Sequence, residues 1–184
     1  MTRHALFLDR DGTLIVDTGY PRDPALVELL PGVVAPLLAA AAKGWALVIV
    51  SNQSGVARGL VTRDEAARVQ ARVEELFAAQ GVRFDGAYFC FHDPAEGCRC
   101  RKPAPGMLLD AARELGLDPR GSVMIGDKPS DLEAGRTVGC HTVALGRGAG
   151  ADADAHCATW AELGAWLEGP EGPVGPPAAI RISR

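Results

Sequence analysis

The sequence predicts an α/β fold, a doubly wound parallel sheet in which buried strands alternate with helices. Short apolar runs recur along the chain, as the buried strands of a parallel sheet do. Longer helix-like segments separate these runs, and a glycine directly follows each of the first four, where a left-handed cap ends a helix. Strands and helices of this length and order imply crossover connections, with helices on both faces of the sheet.

The elements follow one another regularly. The predicted strands are Ala5–Leu8, Ala46–Val50, Ala87–Phe91, Val123–Ile125 and Thr142–Leu145. The predicted helices between them are Val33–Lys43, Arg63–Gln80, Met107–Leu115 and Ser130–Val138. Capping-box patterns, Thr62 with Glu65 and Thr159 with Glu162, place two helix starts, and we expect the last helix to end near Glu168. Ligands of such sheets bind at the carboxyl ends of the strands, so residues that follow strands are the candidates for a site.

The length of 184 residues suits one domain with a single core and is short for two. We expect this domain to span residues 1–168. From residue 169 to 184 the sequence is rich in proline and glycine, a composition that does not build a core, so we expect a flexible tail there. No segment is long enough for a large cap domain, and the stretch from Leu14 to Leu30 has room only for a small flap.

Charge and hydropathy exclude several classes of partner. The formal net charge is −4 without a basic stretch, so we expect no nucleic-acid partner. No apolar run approaches the roughly 20 residues of a spanning helix, and the first residues lack a signal peptide, so we expect a cytoplasmic protein with no membrane partner. Five cysteines, three of them close together, indicate a metal site in a reducing compartment rather than disulfides. We expect a monomer.

Carboxylates follow two of the predicted strands. Asp9 and Asp11 come after the first strand, and Asp127 and Asp131 come after the fourth. Each pair alone has an ordinary explanation, because aspartate is common in turns and in the first turn of helices. Together, Asp9, Asp11 and Asp127 would repel one another unless a hard divalent cation lay between them. Magnesium fits best, since it takes few protein ligands and keeps room for water and a phosphate oxygen.

Uncharged donors and cations are predicted at the same edge. The second strand runs into Ser51-Asn52-Gln53-Ser54, whose hydroxyl and amide groups can donate to an anion without adding charge. Arg101 and Lys102 precede the third helix and bring positive charge. Either segment alone could be an ordinary loop. With the carboxylates, they supply the nucleophile, acid and positive charge that phosphoryl transfer needs.

A second metal site is indicated between the third strand and Arg101. Cys90, His92, Cys98 and Cys100 offer four soft or borderline ligands, a set that suits tetrahedral zinc. With no position left for water, such a site would be structural and would fix the loop that leads into Arg101. The alternative is that Cys90 is a buried strand residue and the others belong to an ordinary loop.

The order of these motifs resembles the haloacid-dehalogenase-like hydrolases. The matching motifs, which span Leu6 to Leu145, are Phe7-Leu8-Asp9-Arg10-Asp11-Gly12-Thr13, Ser51-Asn52, Lys102, and Gly126-Asp127 with Asp131. Four motifs in order are far more specific than any one of them. The resemblance implies the Rossmann-like fold of this superfamily, here without a large cap domain and with a zinc-binding loop.

The resemblance also implies roles. Asp9 would be the nucleophile, and Asp11 would protonate the leaving oxygen and then activate water. Asp9, the Asp11 carbonyl and Asp127 would hold magnesium. The groups that would grip the phosphoryl oxygens are Ser51, Lys102 and Arg101.

Within the superfamily, the cysteine-rich loop before Arg101 resembles those of two phosphatase families, specific for heptose bisphosphate and for histidinol phosphate. Ser54 favours the first, because the histidinol enzymes tend to carry aspartate there. The segments that resemble the heptose-bisphosphate pattern, with Lys128 as an added cation, imply substrate contacts at Asp17, Thr18, Gly19, Tyr20, Asn52, Gln53, Ser54, Arg58 and Lys128. The expected substrate is a small phosphorylated metabolite, D-glycero-D-manno-heptose 1,7-bisphosphate, which would lose its 7-phosphate.

Three other hypotheses remain. Histidinol phosphate is the alternative substrate. A phosphotransferase or phosphonatase using Asp9 would need an acceptor site or a cap with a lysine, and neither is visible in the sequence. A non-enzymatic zinc-loop interaction module would have no use for the set of Asp9, Asp11 and Asp127, which is intact.

Overall fold

A single six-stranded parallel sheet forms the centre of the protein, in a computed structural model that describes residues 3–146, 152–170 and 172–173. Its strands are β1 Ala5–Leu8, β2 Ala46–Asn52, β3 Gly86–Cys90, β4 Val123–Gly126, β5 His141–Leu145 and β6 Ala155–Cys157. Their order in the sheet is β3-β2-β1-β4-β5-β6, and every neighbouring pair is parallel. The predicted doubly wound α/β fold is confirmed.

Five α-helices accompany the strands in the described part of the chain. They are α1 Val34–Ala42, α2 Arg63–Ala78, α3 Gly106–Leu115, α4 Pro129–Val138 and α5 Trp160–Glu168, with short 3-10 turns at Pro24–Leu26, Pro94–Glu96 and Pro119–Gly121. The predicted strands and the first four helices all form, with ends that differ by two residues at most. The short strand β6 was not predicted from sequence, because it has only three residues and the exposed His156 interrupts its apolar pattern.

Capping explains where two helices begin. The Thr62 hydroxyl accepts the main-chain N–H of Glu65, and the Glu65 carboxylate accepts the N–H of Thr62 in return, as the sequence predicts. At α5 only half of the predicted exchange forms. The Thr159 hydroxyl accepts the N–H of Glu162, but the Glu162 carboxylate accepts the N–H of Ala158 instead.

The core lies on both faces of the sheet. Successive residues of β1 alternate between two apolar clusters, with Leu6 and Leu8 on one face and Ala5 and Phe7 on the other. The first cluster includes residues of α1, α2 and α5, and the second includes residues of α3 and α4. All four residues of β1 are therefore fully buried, which explains why its sequence is continuously apolar.

The sheet order places the candidate site at one position. Strand order reverses between β1 and β4, and a crevice forms at such a switch point beyond the carboxyl ends of the strands. Asp9 directly follows β1 and Asp127 directly follows β4, so the two aspartates meet at this crevice.

The segment between β1 and α1 forms the small flap that the sequence predicts. An antiparallel bridge joins Ile15 to Leu29, and the N–H of Leu30 donates to the carbonyl of Leu14 at 3.0 Å. No helix of the described residues has both the length and the apolar character needed to cross a bilayer. Residue 171 and residues 174–184 of the expected tail lie outside the described residues, so the tail and the boundary at residue 168 stay predictions.

Candidate active site at the carboxyl ends of the strands

Lys102 occupies the centre of the site. Its ammonium group donates to Asp9 Oδ1, Asp131 Oδ1 and the carbonyl oxygen of Val50, each at 2.7 Å. Burial lowers the pKa of Lys102, but the two carboxylates outweigh burial and raise the pKa above its ordinary value. Lys102 therefore stays cationic, with all three of its N–H groups engaged.

An acidic cluster surrounds this cation. Asp9, Asp127 and Asp131 each offer a carboxylate oxygen, and these oxygens all lie within 4.8 Å of one another. Burial, together with the charge of Asp9, raises the pKa of Asp127 to about 7. Mutual repulsion of this kind is relieved by a divalent cation, so the donor set fits magnesium. Sequence reasoning placed Asp9 and Asp127 here, but it did not assign Asp131 to the site.

Two glycines allow the carboxylates to approach the main chain. A Cβ atom at Gly126 would overlap the Asp131 side chain, and one at Gly12 would overlap the Asp127 carboxylate. Gly12 also has a φ of +86°, which disfavours residues with a side chain. Only glycine at position 126 leaves room for the Asp131 side chain, and only glycine at position 12 leaves room for the Asp127 carboxylate.

The Asp11 carboxylate turns to a different set of partners. Arg10 donates to both of its oxygens at 3.0–3.3 Å, and Gln53 Nε2 donates to Oδ2 at 2.6 Å. Burial raises the pKa of Asp11, although the Arg10 charge opposes this effect. A carboxyl group whose pKa is raised can carry a proton to a leaving group. Sequence reasoning gave Arg10 no role, yet its side chain is only 1% exposed.

The carboxyl end of β2 and the loop that follows it bring donors to the same cavity. The Asn52 amide donates to the carbonyl of Lys102 at 3.0 Å and accepts the N–H of Lys102 at 3.1 Å, so it fixes that main chain. Gln53 Nε2 also donates to Ser51 Oγ at 2.9 Å. A small cavity of about 30 Å³ is lined by Asp9, Asp11, Ser51, Asn52, Lys102, Lys128, Ser130 and Asp131. A far larger groove of about 560 Å³, between α1 and α5, contains none of the predicted site residues.

Asp17 on the flap and Arg58 in the loop after β2 are both predicted substrate contacts, but they have different partners. Asp17 reaches the cavity through Lys128, whose ammonium lies 3.2 Å from Asp17 Oδ2, while Asp17 Oδ1 accepts the N–H of Gly19. Arg58 instead donates to the Tyr20 hydroxyl at 2.8 Å and to Asp93 Oδ2 at 3.1 Å. The members that do not line the small cavity are Asp17, Thr18, Gly19, Tyr20, Gln53, Ser54 and Arg58. Arg101, predicted to grip phosphate, does not line it either, and its Nη1 atom is buried without a hydrogen-bond partner in the described structure.

The cysteine-rich loop forms a compact cluster. Cys98 Sγ lies 3.5 Å from both Cys90 Sγ and Cys100 Sγ, and His92 Nδ1 lies 3.2 Å from Cys100 Sγ and 3.5 Å from Cys90 Sγ. Zn–S bonds of about 2.3 Å in a tetrahedron place sulfur atoms about 3.8 Å apart, so small adjustments would accommodate the ion. The donor types and their spacing are compatible with zinc.

Comparison with known proteins agrees with these features. Residues 99–162 match the model of the HAD-hydrolase-like family. The D-glycero-β-D-manno-heptose-1,7-bisphosphate 7-phosphatase of Photorhabdus laumondii is 42% identical over 137 residues, which cover 71% of this chain and 73% of that protein. The D-glycero-α-D-manno-heptose-1,7-bisphosphate 7-phosphatase of Burkholderia mallei is 39% identical over 152 residues, which cover 79% and 80%.

A solved structure extends the similarity to three dimensions. The D,D-heptose 1,7-bisphosphate phosphatase from B. bronchiseptica, complexed with magnesium and phosphate, superposes with a TM-score of 0.79 at 28% identity. The match covers 90% of this chain and 98% of that one. Fold, motif order and sequence identity agree, and the chain belongs to the haloacid-dehalogenase-like family of D-glycero-D-manno-heptose 1,7-bisphosphate 7-phosphatases.

Proposed function

We propose that this protein is a magnesium-dependent phosphatase that removes the 7-phosphate of D-glycero-D-manno-heptose 1,7-bisphosphate through a phospho-aspartate at Asp9. The contact between Asp9 and Lys102, inside a cluster of three carboxylates, carries this proposal. Lys102 holds Oδ1 of Asp9 and leaves the other carboxylate oxygen for attack on phosphorus. The family to which the chain belongs supports the same reaction.

The reaction divides into two displacements. In the first, an Asp9 oxygen bonds to phosphorus, the bond to the C7 oxygen breaks, and Asp11 gives its proton to that leaving oxygen. In the second, Asp11 takes a proton from water, the water oxygen bonds to phosphorus, and the bond to Asp9 breaks. Ser51 and Lys102 would hold the phosphoryl oxygens, with Arg101 beside them. For this, Lys102 would exchange one of the three oxygens that its ammonium contacts in the structure for a phosphoryl oxygen. Magnesium, held by Asp9, Asp127 and the Asp11 carbonyl, with Asp131 close by, would supply charge stabilisation of the transferring group.

The second phosphate of the substrate needs positive charge besides that at the transferring group. Lys128 lines the small cavity and also contacts Asp17 on the flap, so it can receive this anion. Arg58 is held by Tyr20 and Asp93, and we propose that it orders the flap when substrate binds. The other predicted substrate contacts stay predictions: Asp17, Thr18, Gly19, Tyr20, Asn52, Gln53 and Ser54.

Substrate preference is expected to separate the heptose enzyme from the alternatives. With magnesium, kcat/KM for heptose 1,7-bisphosphate should exceed the values for histidinol phosphate and nitrophenyl phosphate by about 100-fold, because the second phosphate adds charge-assisted hydrogen bonds. Fructose 1,6-bisphosphate also carries two phosphates, so its lower expected kcat/KM tests recognition of the heptose itself. Both anomers are included, since relatives named for the α and for the β form are similar to this chain. Higher kcat/KM for histidinol phosphate would contradict the assignment, and no hydrolysis of any ester would support the interaction module.

We also propose that the four-ligand cluster holds structural zinc. Cys98→Ser should lower the zinc content from about one ion per chain and lower the melting temperature by several degrees, because structural zinc contributes directly to folding. Elemental analysis and thermal unfolding measure both effects. Cys140→Ala is the matched control, since Cys140 is a buried thiol outside the cluster and its loss should leave the zinc content unchanged. Wild-type protein that is free of zinc yet equally heat-stable and active would contradict a structural site.

The remaining expectations concern the setting of the enzyme. Zinc-binding thiolates suit a reducing compartment, which supports the proposal of a cytoplasmic protein. The monomeric state and the absence of nucleic-acid and membrane partners stay predictions.

A further inference from the structure

Asp11 has to serve as an acid in one step and as a base in the next, so its carboxylate must face the reacting oxygen in both. We propose that Arg10 and Gln53 form a clamp that holds the Asp11 carboxylate in this position. Both are positioning residues that act through Asp11, and the inference rests on the proposed phosphatase function.

The Arg10 half of the clamp is rigid. Nε and Nη2 of its guanidinium each lie within 3.3 Å of both Asp11 oxygens, an arrangement in which the planar fork fixes the plane of the carboxylate. The guanidinium carbon also lies 6.0 Å from the centre of the Phe89 ring on β3. Burial and contacts on two sides restrict the guanidinium of Arg10, so it gives the Asp11 carboxylate a defined reference.

The Gln53 half connects Asp11 to the phosphate-binding loop. Its Nε2 atom donates to Asp11 Oδ2 at 2.6 Å and to Ser51 Oγ at 2.9 Å. Because Ser51 Oγ accepts this hydrogen bond, the hydroxyl proton of Ser51 is free to be donated to a phosphoryl oxygen. One amide group therefore sets the position of the acid and the orientation of the neighbouring hydroxyl.

Gln53 is itself anchored at its main chain. Its N–H donates to the carbonyl oxygen of Cys90 at 2.7 Å, and Cys90 is the first residue of the proposed zinc cluster. The clamp is thus built on residues that follow β1 and β2, and the main chain of Gln53 is tied to the end of β3. This placement suits a group that must hold its geometry through two successive displacements.

The test uses variants that remove the donors but keep side-chain size. Gln53→Met should lower kcat/KM about tenfold or more for an alkyl phosphate such as glycerol phosphate, because the acid is then misplaced. The loss for nitrophenyl phosphate should be smaller, since its leaving group needs little protonation and only the orientation of Ser51 is then lost. Arg10→Lys keeps the charge without the fork and should show the same difference between the two esters.

The controls separate positioning from general damage. Gln70→Met makes the same change of side chain on α2. Gln70 lines a cavity together with Arg10 and Gln53, and its replacement should leave kcat/KM unchanged for both esters. The melting temperature of each variant reports folding, and Gln53→Met decides the outcome if Arg10→Lys does not fold. If Gln53→Met lowers kcat/KM equally for both esters, or for neither, the proposed clamp is wrong. Wild-type protein that hydrolyses neither these two esters nor heptose 1,7-bisphosphate with magnesium would instead overturn the proposed function.

Discussion

Asp9→Asn is expected to reduce turnover to less than about a hundredth of the wild-type rate, because an amide is a poor nucleophile for phosphorus. The fold should survive, since asparagine has nearly the same shape and Lys102 keeps its contacts with Asp131 and the Val50 carbonyl. Rapid-quench labelling with radioactive substrate should trap a phosphorylated wild-type protein and leave the variant unlabelled. Thermal unfolding of the same samples would show that the lost label reflects chemistry.

Asp64→Asn is the matched control for this experiment. Asp64 is exposed in the first turn of α2, so the same change of carboxylate to amide should leave labelling and turnover intact. Residual activity of the Asp9 variant above about a hundredth of wild type would remove Asp9 from the nucleophilic role.

Asp11→Asn is expected to lower kcat/KM for the sugar phosphate by about 10²- to 10⁴-fold, the usual contribution of general acid–base catalysis. The kcat/KM of the variant for nitrophenyl phosphate should fall far less, because this leaving group departs without a proton. The melting temperature should also fall, because the variant leaves the buried Arg10 without its carboxylate partner. Magnesium binding should persist, since the proposed ligand at this position is the main-chain carbonyl.

The pH dependence provides a second measurement of the same group. Burial raises the pKa of Asp11, so its protonated form persists to higher pH than that of an exposed aspartate. As pH rises through this pKa the acid is lost, and kcat/KM for the sugar phosphate should fall. The Asp11→Asn variant should lack this limb of the profile. If Asp11→Asn lowers kcat/KM equally for the sugar phosphate and for nitrophenyl phosphate, Asp11 does not protonate the leaving oxygen.

Local patterns in the sequence are enough to predict most of the fold. The apolar runs and the glycines after them locate the strands and helices to within two residues, because burial on both faces and helix capping act over short distances. The edge strand β6 lacks such a pattern, and Cys157, which looks like part of a polar loop in the sequence, lies buried in this strand.

The site is less predictable because its pairings join distant parts of the chain. Lys102 meets Asp9 across 93 positions, and nothing local indicates that it also pairs with Asp131. The sequence predicts Arg58 as a substrate contact, but it does not indicate that Arg58 pairs with Asp93, 35 positions away. Arg10 gives no sign of burial, since arginine between two aspartates resembles an exposed turn. Such contacts depend on the packed sheet.

The central lysine also determines which ions the crevice can accept. Lys102 contacts two of the three clustered carboxylates, and the nearby Lys128 is paired with Asp17. The group of Asp9, Asp127, Asp131 and Lys102 therefore carries two negative charges when all of its members are ionised. One divalent ion makes this set electroneutral, whereas sodium or potassium would leave a negative charge buried in a low-dielectric environment. Lys102 therefore acts as a counter-ion that sets the net charge of the crevice to match a doubly charged metal. A neutral residue in its place would leave three negative charges and would favour ions of higher charge.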